Sequence, residues 1–193
     1  MPMTTECVVF PPTFPARPMR GQKWPSDNPE YSVEPKYDGW RAVVHIPSGT
    51  MWNRHLEPLS IEGEFEEALK LASELDAEWL DVEALSRRHS MARGSLIVLD
   101  TLDCAVEATY LQRREKVERM GRVLGWCEIP RTDELVVSPS ALGQNARSLY
   151  AELLAKAPEF FEGVVMKKND SVYPFQLRGG SNETPSWRKH RFK

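Results

Sequence analysis

Strand-like segments in this chain come in runs, and that ordering constrains the fold more than any other feature. Tyr31–Glu34 and Trp40–Ile46 alternate apolar and polar residues on either side of the turn-forming Tyr37-Asp38-Gly39. A second turn at Pro47-Ser48-Gly49 leads into a short strand, Thr50–Arg54, which completes an antiparallel meander. Glu78–Leu85, Gly94–Leu102, Glu134–Ser138, Glu162–Lys168 and Ser186–Phe192 are further strand candidates. The Leu96-Ile97-Val98-Leu99 run predicts a strand covered on both faces. Only three stretches have helical spacing. Phe65, Ala68, Leu69, Ala72 and Leu75 define the first, with Glu62, Glu66, Glu67 and Glu74 on its solvated side. The second starts at a capping box, Thr109 to Gln112, runs through Leu111, Val117, Met120 and Leu124, and stops near Gly121–Gly125. The third, Ala146–Ala157, turns Leu149, Leu153 and Leu154 inward and is stopped by Pro158. Strands grouped without a regular βαβ rhythm predict an α+β fold. Ahead of them, Pro11, Pro12, Pro15, Pro18, Pro25 and Pro29 predict an extended lead-in over residues 1–29, with the folded unit over 30–193.

Composition narrows the class. A chain of 193 residues suits one domain with a real core. No apolar run approaches the ~20 residues of a membrane span, and the N-terminus lacks a basic-then-apolar signal pattern. Cys7, Cys104 and Cys127 are scattered and form no CxxC pair, which excludes a disulfide scaffold or a zinc module and predicts a cytoplasmic protein. His45, His55, His89 and His190 form no spaced metal cluster and are assigned no catalytic role. The net charge of −3 hides an uneven distribution, −8 over residues 61–110 and +4 over residues 161–193. Net charge bounds solubility and steering, not the sign of a local surface.

Four segments carry candidate chemistry. In Lys36-Tyr37-Asp38-Gly39-Trp40-Arg41, a lysine at a strand–turn junction is a candidate covalent nucleophile. There Gly39 permits a tight backbone turn, Arg41 offers a planar fork for phosphate, and Trp40 is expected to pack in the core. The bland alternative is a charged structural turn. Asp81 and Glu83 share a strand face and suit ribose hydroxyls, a metal-bound water or a cation; an exposed edge face is the alternative. Glu162-Gly163-Val164-Val165-Met166-Lys167 places an acid and a lysine at the ends of an apolar strand, for a divalent metal and a phosphate, or simply as solvated ends. In Trp187-Arg188-Lys189-His190-Arg191, alternation puts Trp187, Lys189, Arg191 and Lys193 on one face, as an anion site or as a frayed tail.

The order and spacing of these segments, with Leu99-Asp100 between them, closely resemble the motif series of the covalent nucleotidyltransferases: ATP-dependent polynucleotide ligases and mRNA capping guanylyltransferases. The resemblance spans roughly residues 30–191. It implies a nucleotide pocket between two antiparallel sheets with flanking helices; the OB-fold domain that usually follows in the family is not expected here, because the chain stops two residues after Arg191. It further implies that Lys36 attacks the α-phosphorus of ATP to give lysyl-N-AMP, that AMP passes to the 5′-phosphate of a broken strand, and that the 3′-hydroxyl then displaces it. By the same resemblance, Arg41 and Arg54 contact phosphate or sugar, Glu83 holds the ribose, and Glu162 binds Mg²⁺ (or Mn²⁺). Lys167, Lys189 and Arg191 grip the α-phosphate, and Glu34 reads the adenine amino group, favouring ATP over GTP. Positioned cations do most of the catalysis in such a transition state.

The sequence departs from the family pattern at three places. Leu99 stands where an aromatic usually stacks on the purine. Asn53-Arg54-His55 replaces Arg-Asn-Gly, and Arg191 replaces a lysine of different reach. The expected function is an ATP-dependent DNA ligase of repair, replication or recombination. It is expected to work as a monomer in the cytoplasm (a host's, if viral) on nicked duplex, DNA in preference to RNA, with no membrane and with a partner protein in place of the OB domain. The alternatives are an RNA ligase, a capping guanylyltransferase and an inactive nick-binding module.

Overall fold

The computed structural model describes residues 9–59, 62–86, 90–124, 129–156, 158–178 and 182–192. His89, Gly125, Ala157 and Lys193, each used in the sequence reading, lie outside them, as do Cys7 and Cys127.

Among the described residues, ten strands and three α-helices position the site. In chain order they are β1 (Arg17–Arg20), β2 (Tyr31–Tyr37), β3 (Trp40–His45), β4 (Thr50–Asn53), α1 (Glu66–Ala72), β5 (Trp79–Leu85) and β6 (Ser95–Thr101). Then come α2 (Tyr110–Leu124), β7 (Leu135–Val137), β8 (Ala141–Leu142), α3 (Ala146–Lys156), β9 (Phe161–Lys168) and β10 (Glu183–Arg191). One sheet has the order β1-β10-β9-β2-β8 and the other β4-β3-β5-β6-β7. The expected α+β class holds, with one correction: each sheet is mixed. β1 runs parallel to β10, and β6 parallel to β7. Both parallel partners are far apart in sequence, so no hairpin signal announces them. The described residues contain no OB barrel beside these sheets. None of their helices is long and apolar enough to cross a membrane.

The pleat of the second sheet sorts its side chains. Leu80, Val82 and Ala84 of β5, with Leu96 and Val98 of β6, pack against Phe65, Ala68 and Ala72 of the α1 segment and Val117 and Met120 of α2. The alternate residues of β5, Asp81 and Glu83, therefore face away from the helices. The other sheet packs Val33, Val164 and Met166 against Tyr150 and Leu153 of α3.

Two helical stripes differ from expectation. Leu111 is 51% exposed and Leu154 is 38% exposed. In α2 the inward positions belong to Tyr110, Arg113 and Arg114. Arg113 donates to Asp100 (3.0 and 3.3 Å) and Arg114 to the Ser138 carbonyl (2.8 Å), so buried guanidiniums displace a leucine that sequence periodicity favours. In α3 Tyr150 joins the expected Leu153 on the buried side, and Leu149 packs against the same cluster. The capping box is present: Thr109 N–H donates to Gln112 Oε1 (2.8 Å) and Gln112 N–H to Thr109 Oγ1 (3.4 Å). On α1, Glu66 and Glu67 are exposed, which accounts for part of the acidic block as solvated helix surface.

Candidate active site

A cleft of ≈ 630 Å³ is lined by residues of both sheets, including Lys36, Arg41, Glu83, Glu162, Lys189 and Arg191. Strand register builds its cationic end. Lys36 of β2 lies opposite Gly163 of β9, and Gly163 lies opposite Arg191 of β10. Glu162 is thereby brought between two cations: its Oε2 lies 2.5 Å from Lys36 Nζ and 3.1 Å from Arg191 Nη2. Gly163 has φ +144°, and a Cβ there would fall 1.8 Å from the His190 carbonyl oxygen, so this crossing requires glycine. Burial pushes the Glu162 carboxyl up, but the hydrogen bond and charge of Lys36, with Arg191 and Asp38, bring it below the ordinary carboxylate range.

Lys189 projects into the same end and, among the described residues, forms no ion pair. Burial, then the charges of Arg191 and Arg17, hold it below the usual lysine range; Glu183 opposes this, and Lys36 adds to it. Trp187 is fully buried and β10 lies between β1 and β9, so the described part of this basic segment is an interior strand and not a frayed tail. Arg17 of β1 also lines the cleft. It was missed in sequence because a proline-rich stretch carries no strand periodicity.

Glu83 sits opposite Arg41 across β5 and β3. It accepts from the Gly39 N–H at 3.1 Å, and a Cβ at Gly39 would come within 2.8 Å of the Ala84 carbonyl oxygen. Burial pushes Glu83 up to about 6; Lys36, Arg41 and the Gly39 N–H oppose the shift, while Asp81 adds to it. Arg41 itself is gripped by Asp81 through two hydrogen bonds, Nε to Oδ1 and Nη2 to Oδ2, the latter 2.6 Å. The Tyr173 hydroxyl donates to Asp81 Oδ2 (2.5 Å) and accepts from the Ala16 N–H (2.8 Å). Tyr173 thus joins the N-terminal segment to the base of Arg41. Its sequence context, a loop tyrosine, offers no local signal for that role.

Glu34 and Lys167 also line the cleft, where they form a second group, almost fully buried. Lys167 Nζ is 3.0 Å from Glu34 Oε2 and 3.7 Å from Asp100 Oδ2, and it donates to the Leu99 carbonyl at 3.1 Å. The Tyr110 hydroxyl donates to Glu34 Oε1 at 2.5 Å. Lys167 also stands over the Trp187 ring (4.5 Å) and the Tyr110 ring (5.1 Å). So the structure gathers Lys36, Glu162, Lys189 and Arg191, and places Lys167 with Glu34 instead. Leu99 and Val165, from opposite sheets, add apolar lining. Arg54 is exposed at the mouth, donating to His55 Nε2 at 3.0 Å. Trp40, expected in the core, is 43% exposed and lines the cleft; Tyr37, before the turn, takes the core position with Phe160 and Phe161.

Among the described residues no three His, Cys, Asp or Glu side chains cluster as a metal cage. A Mg²⁺ that arrives with nucleotide phosphates needs only one or two protein carboxylates. The ionised Glu162, facing this anion-accepting end, fits that requirement.

Two mixed sheets enclosing such a cleft are also the architecture of solved DNA ligase structures. More particularly, this is the fold of the adenylation domain of ATP-dependent DNA ligases. The ligase domain of LigD from M. tuberculosis superposes with a TM-score of 0.66 at 20% identity, over 93% of this chain and 59% of that one. A mycobacterial DNA ligase D complexed with ATP gives 0.65 at 20%, over 93% and 60%. The Chlorella virus DNA ligase-adenylate gives 0.61 at 18%, over 94% and 68%. The chain therefore spans about three fifths of the mycobacterial structures it matches. No family model matches the sequence, and no curated protein is detectably similar to it.

Proposed function

We propose that the protein is an ATP-dependent DNA ligase acting through a lysyl-AMP intermediate. One observation carries the reading: Lys36 stands in the cleft 2.5 Å from Glu162, beside a lysine, Lys189, that no carboxylate neutralises among the described residues. An unneutralised cation next to a candidate nucleophile suits a phosphoryl group.

In the first step the Lys36 amine attacks the α-phosphorus of ATP, and the proton it sheds as the Nζ–P bond forms passes to the departing pyrophosphate. The Nζ–P bond forms, the bond from the α-phosphorus to the bridging oxygen breaks, and pyrophosphate leaves. Lys189 and Arg191 hold the phosphoryl oxygens, and Glu162 fixes Lys36 in line. Glu83 accepts from a ribose hydroxyl. Glu34, oriented by Tyr110 and Lys167, addresses the adenine edge, while Leu99 and Val165 supply apolar contact to the base in place of aromatic stacking. Arg54 contributes at the mouth, and Arg41, aimed by Asp81, meets phosphate or sugar. Glu162 would hold Mg²⁺ (or Mn²⁺), which supplies charge neutralisation of the phosphates when bound. In the second step an oxygen of the 5′-phosphate takes AMP and releases Lys36. In the third, the 3′-hydroxyl attacks that 5′-phosphorus and AMP leaves. The substrate is nicked duplex, DNA in preference to RNA, in the cytoplasm.

Incubation with α-labelled ATP and Mg²⁺ is expected to leave covalent label on the protein that survives denaturation and alkali and is released by acid, as a P–N bond requires, and that is absent from Lys36→Ala. Nicked duplexes with a DNA or an RNA 3′-side strand then separate the ligase readings. Sealing of the RNA version alone overturns the DNA assignment, and label from GTP alone overturns both.

A further inference from the structure

Beside the cleft, and sharing Lys189 and Arg191 with it, the β1–β10 edge carries a further concavity. It measures ≈ 200 Å³ and is lined by Arg20, Lys23, Lys189 and Arg191, with Gly21 and Gln22. Four cations and no carboxylate line it. The parallel pairing of β1 and β10 sets Arg20 opposite Lys189. The chain after β1 is pinned there: the Gly21 N–H donates to the Lys189 carbonyl (2.9 Å), and His190 Nδ1 lies 2.7 Å from the Gln22 carbonyl oxygen. His190 packs so closely under Gly21 that a Cβ would lie 2.5 Å from the ring. The lining is thus a fixed edge carrying exposed cationic ends. Arg191 reaches Glu162, whereas Arg20, Lys23 and Lys189 have no ion-pair partner among the described residues. Clustered cations repel, and an anion between them relieves that repulsion.

We infer that this concavity is a phosphate subsite for a polynucleotide backbone, seating a phosphodiester beside the one being joined. The inference rests on the ligase reading and extends it to residues outside the motif series. Spacing favours a polynucleotide over the nucleotide's own phosphates. Arg17 lines the main cleft and Arg20 the outer concavity. Three strand residues span ~10 Å, the axial rise of about three backbone charges of one DNA strand. Arg20 and Lys23 do not line the main cleft, so a triphosphate held at Lys36 has no need of them.

The test compares wild type with an Arg20→Ala/Lys23→Ala double variant and an Arg20→Lys/Lys23→Arg control, each checked for an unchanged melting curve. Label transfer from α-labelled ATP is expected to be equal in all three. Affinity of the alanine variant for a nicked duplex is expected to fall about tenfold at low salt. The slope of log K against log salt should shrink by about 2, close to one per lost phosphate contact. The control should keep the wild-type slope. An unchanged slope and affinity overturn the subsite. So does a selective loss of label transfer, which would give these cations to the nucleotide's phosphates, or a wild type that binds no duplex. A wild type that binds duplex but takes no label sinks the ligase activity alone, and the slopes still judge the subsite.

Discussion

Glu83 is the residue whose protonation most directly links the cleft to the stability of the fold. Its carboxyl is pushed up to about 6 by burial. A raised folded pKa means that the native state holds the proton more tightly than the unfolded chain. The associated stability is present below the unfolded value of 4.5 and is lost as the pH rises through about 6. Glu83→Gln removes this dependence. Relative to wild type, it is expected to gain about 2 kcal/mol between pH 4 and pH 7.5, by urea unfolding across that range. It should also bind ATP more weakly above pH 6, where the wild-type carboxylate can accept from a ribose hydroxyl. A stability difference that stays flat with pH would mean that Glu83 does not titrate in this window. Individual residues were legible where each stood at a patterned junction. Lys36 precedes a turn, Glu162 opens an apolar strand, and Lys189 and Arg191 alternate along one. Arg17, Tyr173 and the inward-facing Arg113 and Arg114 were not. Their meaning comes from partners such as Asp81, Asp100 and Glu34, which are brought near only by folding.

At the scale of elements, the crossing of β2, β9 and β10 is the most demanding feature. Gly163→Ala would drive a methyl group into the His190 carbonyl. It is expected to destabilise the fold by about 3 kcal/mol and to abolish label transfer from ATP in whatever protein remains folded. Thr109→Ala is the useful contrast. It removes half of the reciprocal cap on α2 and should cost about 1 kcal/mol while leaving label transfer intact, as thermal melts and adenylylation assays would show. The sequence made most of the element types readable, because period-two alternation, helical spacing and the Thr109–Gln112 cap are local signals. The two parallel edges were not readable. β1 joins β10 from the opposite end of the chain, and no turn chemistry records that pairing. For the same reason the shortest strand, β8 at Ala141–Leu142, gave too few residues for a pattern.

For the whole molecule, charge distribution matters more than its sum. The exposed acids of α1 and the cations of the β1–β10 edge occupy separate elements, so a chain of net charge −3 presents a basic cleft. Binding of a nicked duplex is expected to weaken steeply between 50 and 200 mM salt, by about tenfold or more, as phosphate contacts release counterions. Fluorescence anisotropy against salt measures this directly, and an affinity indifferent to salt would mean that these cations do not meet phosphates. The same chain shows why composition alone misleads: the acidic total points away from a polyanionic partner, while strand register collects the cations at one place.

The row formed by Lys36, Gly163 and Arg191 also bears on how such a chain can change over generations. Losing or gaining a single codon within β9 would reverse which face every later side chain of that strand presents, turning Val165 and Lys167 outward together. Length variation is therefore confined to the connections between strands, and the strands themselves can drift only by substitution. Two descendants of this chain could share few identical residues and still keep the same number of residues between Glu162 and Lys167.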